Sequence, residues 1–259
     1  MLIVLSPAKT LDYHSPIPEV AATRPEFGSD ARQLIDRLRG LSPAELARLM
    51  DLSDSLAELN VARYAAFKAA PRAPDIRPAV LAFDGDVYEG LAARALDTAG
   101  LDYAQAHLRI LSGLYGVLRP LDAMQAHRLE MGTRLSTDRG RTLYAFWGDQ
   151  PTEALNRALR AAGGGPLVNL ASEEYFKVVH PDRLKAPVIQ PVFKDRKGAA
   201  WKVISFNAKR ARGLMTRWAI DHRIKDAAAL KDFDREGWRF EPAESDTQTW
   251  VFRREQATD

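Results

Sequence analysis

The most chemically distinctive stretch of this 259-residue chain runs from Lys194 to Lys225 and is strongly basic. It holds ten lysines and arginines but only two aspartates, a formal charge of +8, whereas the whole chain carries +3. Such a concentration of positive charge is typical of a surface that meets polyanions. We expect phosphate contacts from four of its members, Lys209, Arg210, Arg212 and Arg217.

The elements that would position these cations are a strand and a helix. Trp201–Phe206 has the composition of a strand, and Asn207 is suited to cap the helix that follows. Apolar residues recur there at a 3.6-residue period from Ala208 to Trp218, so one face should pack on the core while the other presents cations. The alternative is an ordinary amphipathic helix whose basic face only meets water.

A second group of arginines surrounds a glycine-punctuated turn, where Gly113 and Gly116 let the backbone bend and approach another surface closely. Two helices joined by such a turn can direct amide N–H groups at a phosphate. The alternative is a tight turn whose arginines pair with Asp122 and Glu130. The candidate contacts here are Arg109, Arg119, Arg128 and Arg134.

Two further lysines lie close to predicted strand or helix ends. Leu2–Leu5 is a continuous apolar run, the pattern of a strand buried on both faces, and it leads into the loop that carries Lys9. Loops that leave central strands often bind ligands, although this loop taken alone favours a solvent-exposed lysine in a turn. Lys177, at the end of a short helix capped by Ser172, completes the candidate phosphate contacts.

Two acidic clusters each follow a predicted buried strand and could supply oxygen ligands to iron or magnesium. An enzyme or iron-handling protein built on them is the alternative function. Their ordinary interpretation is a turn with a helix cap for the first cluster and helix-dipole partners for the second. The residues concerned are Asp84, Asp86, Glu89, Glu173 and Glu174.

Composition and missing motifs narrow the classes of function. The chain contains no cysteine, which excludes disulfides, thiolate metal sites and a cysteine nucleophile. The histidines do not fall at metal-binding spacings, and no hydrolase elbow, Walker loop or dinucleotide fingerprint is present, so no catalytic residue is identified. With no signal or membrane-spanning pattern, we expect a cytoplasmic monomer with no membrane association and no firmly indicated cofactor.

Strand and helix patterns alternate irregularly along the chain and predict an α+β fold, a mixed β-sheet flanked by helices. We expect a single domain over residues 1–259, in which the proline-rich connector at 71–78 is the one weak internal boundary. The tail from Glu255 should be frayed.

Seven sequence blocks, in order along almost the whole chain, resemble the YaaA family of bacterial peroxide stress proteins. The blocks are SPAKTLD at Ser6–Asp12, GDVYEGL at Gly85–Leu91, LRILSGLYGVLRPLD at Leu108–Asp122, RLEMGTRL at Arg128–Leu135, LYAFWGD at Leu143–Asp149, NLASEEYFK at Asn169–Lys177 and FNAKRARGLM at Phe206–Met215.

This resemblance implies a single mixed domain with a positively charged cleft and a helix–hairpin–helix-like element, which would lie at Leu108–Asp122. It also implies binding of double-stranded or locally opened (bubble) DNA, and a role in limiting free iron and oxidative damage during peroxide stress. The family brings no established reaction with it. Our leading hypothesis is therefore a DNA-binding protein of the peroxide response.

Overall fold

A mostly parallel sheet organises the computed structural model, which describes residues 1–255. Its order is β11-β12-β9-β8-β1-β5-β6 with β10 paired to β9, and the five strands from β12 to β5 run parallel. The strands are β1 (Leu2–Leu5), β2 (Thr10–Leu11), β3 (Ile76–Pro78), β4 (Phe83–Asp84), β5 (Leu108–Ser112), β6 (Gly116–Leu118), β7 (Ala123–Gln125), β8 (Leu167–Asn169), β9 (Val188–Lys197), β10 (Ala200–Lys202), β11 (Arg239–Phe240) and β12 (Thr249–Arg254).

The N-terminal strand β1 lies between β5 and β8 and is parallel to both. All four of its residues are buried, as expected for a strand covered on both faces. The mixed sheet flanked by helices that the sequence predicts is therefore confirmed, with β1 near its centre.

Helices cover the sheet and hold the loops at its edges. The helix α2 (Pro43–Met50) begins with a capping box, in which the Ser42 hydroxyl accepts from the Glu45 N–H and the Glu45 carboxylate accepts from the Ser42 N–H. The helices are α1 (Gly28–Arg39), α2 (Pro43–Met50), α3 (Asp54–Ala66), α4 (Ala79–Ala82), α5 (Asp86–Leu91), α6 (Thr98–His107), α7 (Leu143–Trp147), α8 (Gln150–Ala161), α9 (Glu173–Phe176) and α10 (Ser205–Asp221), with short 3₁₀ turns between some of them.

The helix–hairpin–helix expected at Leu108–Asp122 does not form there. These residues instead make β5, a turn and β6, an antiparallel hairpin in the central sheet. The physical reason is burial: β5 pairs with β1 on its other side, and its apolar residues fit a sheet covered on both faces. The glycines of this turn therefore allow it to pack closely against segments outside the sheet.

The helix α10 begins earlier than the sequence indicates. It starts at Ser205, so Phe206 is helical, and the predicted strand ends at Lys202. Asn207 does not cap the helix, because its amide donates to the carboxylate of the fully buried Asp195 at 3.0 Å. The buried carboxylate of Asp195 requires a hydrogen-bond partner, and Asn207 supplies it from within the helix instead of capping the helix end.

The connector at 71–78 is tied to the rest of the molecule. Its last three residues form β3, which pairs antiparallel with β7. Within residues 1–255, none of the helices combines the length and the apolar character required to cross a bilayer. The tail expected to fray after Glu255 lies outside the described residues.

Candidate functional site

A cavity of about 510 Å³ opens where three parallel strands end. Ser6 follows β1, Ser112 ends β5, and Leu170 and Ser172 follow β8, and all four line the cavity. The carboxyl ends of parallel strands are the usual place for a ligand crevice in such sheets. The sheet topology therefore selects this cavity as the candidate site.

Hydrogen bonds join the loops around the cavity to one another. The Ser6 hydroxyl accepts from the Ser172 N–H at 2.8 Å and lies 3.2 Å from the Ser172 hydroxyl. The Tyr88 hydroxyl donates to the Ser6 carbonyl at 2.9 Å, which ties α5 to the loop after β1. The loops that carry Lys9, Asp84 and Glu174 are thereby fixed relative to each other.

The basic wall of the cavity is positioned by a close crossing of α5 and α10. A side chain at Gly90 would clash with the Arg210 carbonyl, and one at Gly213 would clash with the Val87 carbonyl. Only glycine at both places allows the two backbones to approach this closely. This crossing brings Lys209 and Arg212 of α10 to the cavity.

A third wall is the segment around Arg128–Glu130. A side chain at Gly113 would clash with the Leu129 carbonyl, so the turn between β5 and β6 packs directly on this segment. The carboxylate of Glu130 lies 2.8 Å from the Arg128 guanidinium and 3.0 Å from the Lys9 ammonium. Two of the four cations that line the cavity therefore share one acidic partner.

The other two cations have no acidic partner within 4 Å among residues 1–255. The Nε atom of Arg212 is buried and has no hydrogen-bond partner there, and burial lowers the pKa of its guanidinium. Lys209 is exposed at the rim of the cavity. Arg212 as a whole is half-buried, and a buried polar atom without a partner is unusual because its desolvation is costly.

The cavity is also lined by acids, so it is not the purely positive cleft that the resemblance implies. The four basic lining residues face four carboxylates, which gives a formal balance of zero. Glu174 accepts from the Gly132 N–H at 2.8 Å. The lining carboxylates are those of Asp84, Asp86, Glu130 and Glu174.

The candidate metal ligands do not converge. Asp84, Asp86 and Glu174 line the cavity, whereas Glu89 and Glu173 do not. Across residues 1–255, no group of three or more acidic or histidine side chains has the geometry to hold a metal ion.

The basic stretch Lys194–Lys225 has fewer unpaired cations than its sequence indicates. Five of its ten cations form ion pairs, mostly with acids from other segments, because the fold brings those segments against α10 and β9. The expectation that the cations of this stretch are free to meet a polyanion is therefore wrong for half of those cations. The pairs are Lys194–Glu244, Arg196–Glu255, Arg210–Glu236, Arg217–Asp221 and Arg223–Asp97.

Most of the candidate residues around the turn at Gly113–Gly116 make hydrogen bonds, ion pairs or packing contacts within the protein. Arg109 donates to the carbonyls of Gln105 and Leu108, and burial lowers the pKa of its guanidinium to about 10. Arg119 pairs with Asp122 at 2.8 Å. A side chain at Gly116, whose φ is +65°, would press on the Trp147 ring.

Two remaining candidates lie outside the cavity lining. Arg134 is exposed, and Lys177 is exposed with its ammonium 5.2 Å from the centre of the Tyr144 ring. They are available at the surface, but the fold does not bring them into the cavity.

Sequence reasoning missed several residues that shape the site. Ser6 and Tyr88 join its loops, and His127 is a buried lining residue whose Nδ1–H donates to the Gln125 carbonyl at 2.8 Å. The signal for Ser6 was present, since it directly follows a fully apolar strand. For His127 the local sequence held no signal, because its burial depends on packing against Tyr115.

Comparison with known proteins gives matches over nearly the full length. A family model described as peroxide stress protein YaaA matches residues 1–244. A UPF0246 protein of Burkholderia lata is 57% identical over 256 residues, covering 98% of both chains. A UPF0246 protein of Ralstonia nicotianae is 58% identical over 257 residues, covering 99% of this chain and 100% of that protein.

Proposed function

The chain belongs to the peroxide stress protein YaaA family, and we propose on that premise that it binds DNA in the peroxide response and so limits iron-driven oxidative damage. Its contacts go mainly to phosphates, which carry no sequence information. Duplex and locally opened DNA are the expected partners.

One observation supports this proposal: Lys209 and Arg212, at a cavity formed by strand ends, are cations that have no acidic partner among residues 1–255. They lie three residues apart on α10, a spacing that places them on the same face of the helix. Arg210 and Arg217 of the same helix are paired with Glu236 and Asp221. Among the four cations of α10 first expected to contact phosphate, we therefore propose only Lys209 and Arg212 as contacts.

The test compares two double variants of equal charge change. Each phosphate contact contributes about 0.9 to the slope of log affinity against log salt. In Lys209→Gln with Arg212→Gln, we expect a slope smaller by about 2 and weaker binding at low salt. Fluorescence anisotropy on duplex, bubble and single-stranded oligonucleotides at several salt concentrations measures both quantities.

Arg210→Gln with Arg217→Gln is the matched control, because its cations are already neutralised within the protein. It should keep most of the wild-type affinity and slope. Wild-type binding that does not change with salt would overturn the proposal, and so would equal losses in the two double variants.

A further inference from the structure

The walls of the cavity carry charges of opposite sign that have no ion-pair partner among residues 1–255. Arg212 and Lys209 belong to the wall formed by α10, while Asp84 and Asp86 belong to the loop that begins α5. Neither aspartate has an ion-pair or side-chain hydrogen-bond partner within residues 1–255. No cation–carboxylate pair across these two walls comes within 4 Å, so the space between them stays open.

The cationic wall fits a phosphate. A guanidinium presents a planar fork of donors that matches phosphate or carboxylate oxygens, and the guanidinium of Arg212, which lines the cavity, has no hydrogen-bond or ion-pair partner within residues 1–255. The lysine three residues earlier adds a second positive charge on the same helix face. Two free cations balance a dianionic phosphate better than a singly charged carboxylate.

The apolar lining residues and the two aspartates fit a ligand that is flat and apolar and carries N–H donors along one edge. Phe83, Tyr88, Leu129, Leu170 and Tyr175 contribute the apolar lining, and Tyr88 and Phe83 lie with ring centres 5.3 Å apart. The carboxylates of Asp84 and Asp86 can accept from N–H donors of a bound molecule. A volume of about 510 Å³ is within the usual range for a small-molecule pocket.

We propose that this cavity binds one small organic phosphate of mononucleotide size, with its phosphate on Arg212 and Lys209 and its N–H edge facing Asp84 and Asp86. The phosphate is either that of a free nucleotide or that of an unstacked nucleotide in a strand. The inference uses the same two cations as the function proposed above, but it does not require binding of duplex DNA.

Calorimetric titration of the full chain with AMP, GMP, CMP and UMP tests the proposal, with adenosine and inorganic phosphate as partial ligands. We expect saturable binding of at least one mononucleotide, and at least tenfold weaker binding of the partial ligands. Arg212→Gln should weaken mononucleotide binding at least tenfold, whereas Arg210→Gln, whose native cation is paired with Glu236, should not change it.

A second variant tests the cavity itself. Ala8 lines the cavity and is only partly buried, so Ala8→Phe should fill the space and abolish mononucleotide binding while circular dichroism stays native. If Ala8→Phe fails to fold, Asp84→Asn is measured instead, because Asp84 is exposed and a tenfold loss is again expected. A short single strand added in competition distinguishes the sources: displacement of the mononucleotide assigns the site to a strand as well, and no displacement to the free nucleotide.

The proposal is overturned if none of the four mononucleotides binds, if inorganic phosphate binds as tightly as they do, or if Arg210→Gln and Arg212→Gln lose binding equally. A wild-type protein that binds duplex DNA with salt-dependent affinity but no mononucleotide would overturn this inference alone. One that binds a mononucleotide but no DNA would overturn only the function proposed above.

Discussion

At the scale of single residues, the type of a charged residue does not show whether its side chain is free to bind a ligand. Arg210 and Arg212 are two positions apart on α10, yet Arg210 donates to Glu236 at 2.6 Å while the buried Nε of Arg212 has no partner within the described residues. Both were predicted to contact phosphate from type and position alone. Their difference arises because positions two apart on a helix lie on nearly opposite sides of it, and those sides meet different segments of the fold.

His127 is the residue at which burial should have the clearest consequence for stability. Burial lowers its pKa to about 4, against about 6.5 in the unfolded chain, and the nearby Arg63 acts in the same direction. The imidazole is therefore neutral in the folded protein, and its contribution to stability is complete above about pH 6.5. That contribution is lost as the pH falls towards 4, because the unfolded state then binds the proton more tightly.

We expect the wild type to lose about 2–3 kcal/mol of unfolding free energy through this histidine between pH 7 and pH 4.5. His127→Gln should lack this part of the acid loss, whereas His14→Gln, at an exposed position, should retain it. Urea unfolding of the three proteins at both pH values measures the difference. Identical acid sensitivity in all three would contradict the assignment.

At the scale of elements, local signals predicted the strands and caps best where burial and local preference agree. Leu2–Leu5 forms the expected strand, and Ser172 caps the short helix α9 as predicted. The segment Leu108–Asp122 was misjudged, because an apolar run broken by glycines suits either a helical turn or a buried hairpin. Pairing with β1, which is distant in sequence, decides between them.

The crossing of α5 and α10 gives a prediction that belongs to this scale. In Gly213→Ala the new methyl group meets the Val87 carbonyl, and backbone cannot yield as a flexible side chain can. We expect a loss of about 3 kcal/mol or more in unfolding free energy, with weaker DNA binding because α10 carries Lys209 and Arg212.

The matched control is Gly28→Ala in the first turn of α1, where the nearest neighbour of an added methyl is the flexible end of Arg32 at 3.9 Å. Alanine there should leave stability unchanged or slightly higher, since it has the better helix propensity. Thermal unfolding followed by circular dichroism compares the two variants. Equal midpoints would show that the crossing does not require glycine.

At the scale of the whole molecule, one sheet joins the two ends of the chain. β1 begins at residue 2, and β12, which ends at residue 254, pairs in parallel with β9, which in turn pairs with β8 beside β1. The proline-rich connector is anchored through β3 and β7. A continuous sheet of this kind favours unfolding as a unit over unfolding of separate halves.

We therefore expect a single cooperative transition over the full chain. Tryptophan fluorescence and far-ultraviolet circular dichroism should give coincident urea curves. A fragment that begins at residue 71 should not fold, because it lacks β1 from the middle of the sheet. Two separated transitions, or a folded fragment, would place a domain boundary at the connector.

The sequence by itself determined the family, the buried central strand and the type of residue that can bind a phosphate, because these depend on local order and composition. Only the tertiary structure decided which cations are free. Lys9 pairs with Glu130 and Arg223 pairs with Asp97, although the partners are far apart in the sequence. Arg212 has no acidic partner within residues 1–255. The strength of an ion pair depends on the distance in space between its charged atoms, and the number of residues between them in the sequence does not predict that distance.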